Sequence, residues 1–383
     1  MKPTSLFCRL FFSIIAIVLL GSECLLAAQN SPIPAKGPGN IVVRPKFGGQ
    51  MSGYDIDQNG TEGVLAEQAT LKDGNILTAV ETFDQKTGKI IKVVSKKISQ
   101  FDDDIVEGIV GNSTAVLLRE NALSNGTQRI YRLISPLSAN KYTSVWHPPH
   151  FDNRSIVYGV SHDQQSDTAA FFVLHDIYPG TSYFAFTENM QTHTFGKEFK
   201  TKAQDFVPFN PVAFAYDVNT NTGVLAESEG CNYCVMQIGL LNLDNGKFGQ
   251  FTGLGEGLQG LAVDSDDGIA CTTSADDANV QFYDVKTQTG ISEDLPGGVG
   301  QAQSGFDVEY DPIHKLFLIF QADGPGEHSF IQVYDPKGTL VDSIDFGPYN
   351  RFGGYMALQP RTRGGFLGEA PGNSNGVLRS FTY

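Results

Sequence analysis

The feature that most constrains this chain is a short pattern that keeps returning. Between residues 260 and 284 the sequence reads GLAVDSDDGIACTTSADDANVQFYD, with apolar runs at 261–263, 269–273 and 280–283. Turn-forming clusters at 264–268 and 275–279 separate them, and a fourth run follows Lys286-Thr287-Gln288-Thr289-Gly290. Short alternating runs punctuated by Asp, Asn and Gly spell an antiparallel meander. The unit is therefore a four-stranded sheet. Such a sheet cannot bury both faces alone, so a chain that repeats it must stack the copies.

The repeats are spread along the chain. Tyr54-Asp55-Ile56-Asp57 through Gly63-Val64-Leu65-Ala66-Glu67 recurs as Tyr216-Asp217-Val218-Asn219 through Gly223-Val224-Leu225-Ala226-Glu227. Residues 104–146, 147–200 and 306–346 read as further units, the second of them without an inner strand that the sequence places. Phe352-Gly353-Gly354 to Glu369 echoes Phe47-Gly48-Gly49 to Glu67, and one more run, 377–383, leaves this last unit a strand short. The run Ile41-Val42-Val43-Arg44 can supply it, so that first and last units share a sheet and no open edge is left. A spacing of roughly 45 to 55 residues gives seven units, with six or eight as the alternatives. The expectation is an all-β β-propeller of four-stranded antiparallel blades, seven-bladed and closed by an N-terminal strand, as a single domain over 41–383.

The runs 260–284, Phe306-Asp307-Val308-Glu309-Tyr310-Asp311-Pro312 and Val333-Tyr334-Asp335-Pro336-Lys337-Gly338 resemble the YVTN-type and NHL-type repeats of the WD40-like propeller superfamily. The Tyr-Val-Thr-Asn signature itself is absent. The resemblance implies the fold; such propellers serve as interaction modules and, in cousins, as lactonases or other hydrolases.

Composition narrows the partners. The 383 residues carry 27 Lys and Arg against 42 Asp and Glu, a formal net charge of -15. Such a surface repels nucleic acid and anionic lipid. Residues 1–28 have Lys2 and Arg9, an apolar core from Leu10 to Leu20, and Ala27-Ala28 before Gln29. That is the form of a cleaved secretory signal peptide, and the apolar run is too short for a spanning helix. The expectation is a secreted or periplasmic protein, monomeric, without membrane insertion after cleavage. Residues 29–40, QNSPIPAKGPGN, read as a Pro/Gly-rich, poorly ordered tether.

Three cysteines follow the leader. Cys231-Asn232-Tyr233-Cys234 reads as a local disulfide in an exported chain, with redox or metal roles as the alternatives, and Cys271 as buried and free. Asp55, Asp57 and Asn59, ahead of Gly60, have the spacing of a calcium loop and, with Phe47-Gly48 upstream, resemble an FG-GAP repeat. The closing acidic positions hold Ala66 in one frame and Gly63 in the other. A polar turn is the expectation, with bound calcium the alternative. Of the seven histidines only His147, His150 and His162 cluster in sequence, and all seven read as exposed loop residues.

No Gly-x-Ser-x-Gly elbow, Walker loop or dinucleotide fingerprint is present. Gln50, Gln259, Gln303 and Arg351 fall at inner-strand entrances, where a propeller presents its channel mouth. Amides and one Arg suit binding better than hydrolysis. The sequence thus points to a binding module for an extracellular protein or glycan at the channel face or rim loops. The alternative is a lactonase-like or other metal-assisted hydrolase, which would bring three or more carboxylates or imidazoles together at the channel mouth.

Overall fold

The computed structural model describes residues 36–58, 60–99, 106–111, 114–123, 126–134, 144–146, 155–175, 182–202, 210–228, 236–249, 252–253, 258–274, 279–287, 289–294, 304–322, 328–348, 355–369 and 376–383. The leader, most of the tether, Asn59, Cys231, Cys234, Gln303, Arg351, His147 and His150 lie outside them. No described helix is long and apolar enough to cross a membrane.

β1 (Gly37–Val43) is the first strand among the described residues. The first sheet is β2 (Gln50–Ile56), β3 (Glu62–Thr70), β4 (Ile76–Asp84) and β5 (Ile90–Ser99). The second is β6 (Val106–Gly111), β7 (Thr114–Leu123), β8 (Gly126–Ile134) and β9 (Ser144–Trp146). In the third, β10 (Ser155–Asp163) and β11 (Thr168–His175) lead to β12 (Ser182–Asn189), on which both β13 (Thr194–Phe195) and β14 (Phe199–Lys202) pair. The fourth is β15 (Asn210–Asp217), β16 (Thr222–Ser228), β17 (Met236–Asn242) and β18 (Thr252–Gly253). The fifth is β19 (Leu258–Asp264), β20 (Ile269–Ser274), β21 (Asn279–Asp284) and β22 (Thr289–Asp294), and the sixth β23 (Ser304–Asp311), β24 (Leu316–Ala322), β25 (His328–Tyr334) and β26 (Leu340–Pro348). These six sheets follow chain order. The last holds β27 (Met356–Gln359), β28 (Gly364–Glu369) and β29 (Val377–Thr382), and β1 pairs antiparallel with β29.

The first strand of each sheet touches the first strand of the next, from β2 to β6, β10, β15, β19, β23 and β27, and β27 touches β2. That circuit makes the structure a closed β-propeller with those strands innermost. Apolar clusters fill the seams. Phe172, Phe214, Leu225 and Leu241 join the third and fourth sheets, and Phe282, Phe317 and Tyr334 join the fifth and sixth. Leu318, Ile331, Leu367 and Phe381 join the sixth and last, and Leu65, Phe83, Phe366 and Leu378 join the last and first. Burying each such side chain contributes about 1.5–3 kcal/mol.

Three details differ from the sequence reading. The closing strand starts at Gly37, so the last residues of the 29–40 tether are strand. Its pairing with β29 shifts register between Pro38 and Val42, which lets a proline that cannot donate sit in the strand. The third sheet's inner strand is Ser155–Asp163. And Ile56 lies opposite Gly63 as Tyr216 lies opposite Gly223, so the counterpart of Asp217 is Asp57, two positions on from the Tyr-Asp match. Strand pairing, not sequence likeness, sets that alignment.

Candidate functional site

Five of the innermost strands, β2, β10, β15, β19 and β23, slip register near their starts, between Met51 and Gly53, Val157 and Gly159, Pro211 and Ala213, Leu258 and Gly260, and Gly305 and Asp307. Each is a β-bulge, a device that re-aims the chain at the rim of a sheet. After the bulge comes Gly or Ala in four sheets, and the packing shows why. A Cβ on Gly260 would lie 2.6 Å from Val308 N and 2.7 Å from Asp307 C, in the next sheet's backbone. In the sixth sheet the same place holds Asp307. Its neighbour β27 begins only at Met356, and the Met356 N–H donates to Asp307 Oδ2.

On β23 side chains alternate, so Asp307, Glu309 and Asp311 project to one side, towards the last sheet. Asp311 is buried in a turn, where Oδ1 accepts from Ile313 N at 2.8 Å and His314 N at 3.0 Å while Oδ2 accepts the Tyr383 hydroxyl at 2.7 Å. Asp217 and Asp264 cap the equivalent turns of their sheets in the same way. These aspartates are structural. Glu309 is different: it is half-buried, and Asp307 and then Asp55, from β2 on the far side of β27, add to the effect of burial in holding its carboxyl well above the ordinary glutamate value. Burial pushes Asp307 up to about 7 against two backbone N–H donors. Burial also raises the Tyr54 phenol, with Asp307, Glu309 and Tyr355 adding to the shift and the Gly368 N–H, which donates to its oxygen at 2.8 Å, opposing it. Tyr355 stands 67% exposed beside them.

Electrostatic interaction links these three carboxyls and two phenols: Asp307, Glu309 and Tyr54 act on one another directly, Tyr355 acts on Tyr54, and Asp55 acts on Glu309 from β2. Near neutral pH the group holds both protonated and ionised carboxyls, so it can donate and accept hydrogen bonds and attract a cation. Reading the sequence for strand entrances missed Asp307 and Glu309. The signal was there: acidic residues at i, i+2 and i+4 put three carboxyls on one side of a strand whose neighbours want apolar or small residues.

Of the residues singled out from sequence, Gln50 is exposed at the start of β2, and Gln259 is the extra residue of the β19 bulge. Asp55 joins the channel group. Asp57 does not. It is 2% exposed, and its Oδ1 accepts the Gly60 N–H at 2.9 Å. The turn is also clamped from the third sheet, where Gln164 accepts from Gln58 N at 2.8 Å and donates to Ile56 O at 3.2 Å. No group of three or more His, Cys, Asp or Glu that could hold a metal occurs among the described residues. Cys271 is buried and free, and burial raises its thiol well above the usual range.

Four histidines have carboxylate partners, which qualifies the sequence reading of exposed loop residues. His162 lies 3.1 Å from Asp167, His193 3.3 Å from Glu188, His314 2.7 Å from Asp311 and His328 2.7 Å from Asp345. Elsewhere, a cavity of about 320 Å³ between the fourth and fifth sheets has an apolar floor of Leu240, Phe248 and Val285 and a rim carrying Lys247 and Lys286.

No protein-family model matches the chain and no curated protein matches it. Solved structures do. Raptor of Chaetomium thermophilum is 12% identical with a TM-score of 0.58 over 91% of this chain, which spans only 29% of the Raptor chain. A chain of the mitotic checkpoint complex is 10% identical, with a TM-score of 0.57 and coverage of 92% and 96% of the two chains. U3-55K is 11% identical, with a TM-score of 0.54 and coverage of 92% and 100%. At these identities the likeness shows the fold alone: the chain is a β-propeller similar in structure to WD40 proteins.

Proposed function

We propose that this protein is an exported, non-catalytic propeller, of seven YVTN/NHL-like blades with the closing sheet counted, that binds a basic segment of a partner protein at its channel mouth. The observation that carries the reading is the convergence of Asp55, Asp307 and Glu309 beside the exposed Tyr355 ring. Carboxylates attract Lys and Arg, and an exposed aromatic ring adds a cation–π platform of about 0.5–1 kcal/mol. The net charge of -15 steers cationic partners inward and weakens with salt. Export rests on the leader at 1–28, and an N-terminal sequence beginning at Gln29 on the purified protein tests it.

The binding test uses oligo-arginine peptides and a glycan array against the wild type and the Asp55→Asn, Glu309→Gln double variant. Salt-sensitive peptide binding that drops at least about tenfold in the variant supports the reading. Equal binding by both proteins, or binding to glycans alone, overturns it.

Two observations favour a second reading: three carboxyls lie at the channel mouth, as a hydrolase there would require, and Asp307, with its carboxyl near pH 7, has the proton affinity of a general acid or base. Lactone or ester turnover that Asp307→Asn abolishes would establish a hydrolase.

A further inference from the structure

Residues 44–49 carry the chain from β1, in the last sheet, to β2, in the first, and so form the covalent junction at which the ring closes. Two glutamates hold them. Phe47 N–H and Gly49 N–H donate to the two oxygens of Glu67, and Lys46 N–H donates to Glu81 Oε2, each at 2.9 Å. Both glutamates are 0% exposed. In the pairing of β3 with β4, Glu67 lies opposite Ala79 and Leu65 opposite Glu81, so the two acids project from the same face of neighbouring strands. They are within hydrogen-bonding reach of each other.

Two carboxylates cannot hydrogen-bond; one must carry a proton. Both Glu67 oxygens already accept backbone amides, while Glu81 Oε1 is buried and receives no hydrogen bond. The proton therefore sits on Glu81 Oε1 and is donated to Glu67. Burial, with Glu67 adding to it and the Lys46 amide and charge opposing it, raises the Glu81 carboxyl to about 7.

The other groups here are few. Lys96 on β5 lies opposite Ala79, with its ammonium 4.5 Å from the centre of the Phe47 ring. Lys46 lies 6.0 Å from the same ring. Tyr54, opposite Leu65 on β2, accepts a hydrogen bond from Gly368. From the last sheet Val43, Ala357, Phe366 and Leu378 pack into the seam.

We propose that Glu67 and Glu81 form a one-proton latch on the ring closure. With the proton shared, the pair clasps residues 46–49; its loss leaves two like charges in one buried pocket and releases the segment, so closure tightens in acid and slackens towards neutral pH. The closed junction holds this proton more tightly than an open one does. Opening therefore grows by up to about tenfold per pH unit from the ordinary glutamate value of 4.5 to about 7, then levels off. The latch does not depend on which ligand the channel takes.

Amide hydrogen exchange on the full chain, corrected for the intrinsic chemical rate, tests it between about pH 5 and about pH 8. Protection at Phe47 and Gly49 should fall at least about tenfold while residues 316–321 of the sixth sheet stay level. Glu81→Gln keeps a donor for Glu67 and an acceptor for Lys46 but has no proton to lose, so its junction should stay protected across the range. Constant protection in the wild type, or the wild-type slope persisting in Glu81→Gln, overturns the latch. Should that variant fail to fold, carboxyl NMR of Glu81 in the wild type decides. A midpoint near 7 supports the latch, and an ordinary glutamate midpoint overturns it.

Discussion

The Tyr383 hydroxyl donates to Asp311 Oδ2 at 2.7 Å, fastening the strand end of the last sheet to the buried turn of the sixth. Both residues are almost wholly enclosed, at 2% and 0% exposure. Tyr383→Phe removes the donor and leaves the buried Asp311 Oδ2 to His314 Nδ1, at 2.7 Å. The expected loss is about 1–3 kcal/mol of unfolding free energy, read as a shift in urea midpoint at unchanged m-value.

Gly260 sets the distance between the fifth and sixth sheets. A methyl group there would press on the backbone at Val308 N and Asp307 C, at 2.6 and 2.7 Å, which no side-chain rotation relieves. Gly260→Ala should cost about 1–3 kcal/mol and raise hydrogen exchange along β19 and β23. A melting temperature equal to that of the wild type would show that the seam can widen freely.

Asp307 predicts a pH slope. Its folded-state carboxyl is raised from 3.8 to about 7, so the stability it contributes is full below 3.8 and is lost as pH climbs through about 7. The slope is at most about 1.4 kcal/mol per pH unit in that window. Asp307→Asn keeps an oxygen for the Met356 N–H and removes the titration, so its stability profile should be flatter than the wild type's. Parallel profiles would show that Asp307 titrates normally.

The Asp57 turn predicts indifference to calcium. Asp57 Oδ1 is taken by the Gly60 amide, and Gln164 holds the turn from outside. Adding calcium or chelator should leave the melting temperature within about 1 °C. A rise with calcium that chelator reverses would make residues 55–60 a cation site after all.

Much of the fold is written locally. The runs at 261–263, 269–273 and 280–283 became β19, β20 and β21 because period-two alternation and Asp-Gly turns act over a few residues. The contribution of β1 to the last sheet was legible from the missing strand after residue 369. The sites were less so. Asp57 and Asp55 look equivalent in sequence, yet one caps a turn and the other joins the channel group. Glu81 and Glu67 read as ordinary strand residues until the junction segment covers them.

The sequence by itself determined the strand-and-turn unit, its repetition around a ring and the acidic charge, because these depend on neighbours along the chain. Tertiary structure alone decided which carboxyls meet: Asp55 with Glu309, and Glu67 and Glu81 with the junction between first and last sheets. Ring closure brings Asp55 near Glu309, more than 200 positions away, while the folding of residues 46–49 over the first sheet removes water from around Glu67 and Glu81. The proton affinity of a carboxyl follows that enclosure, which no local pattern records.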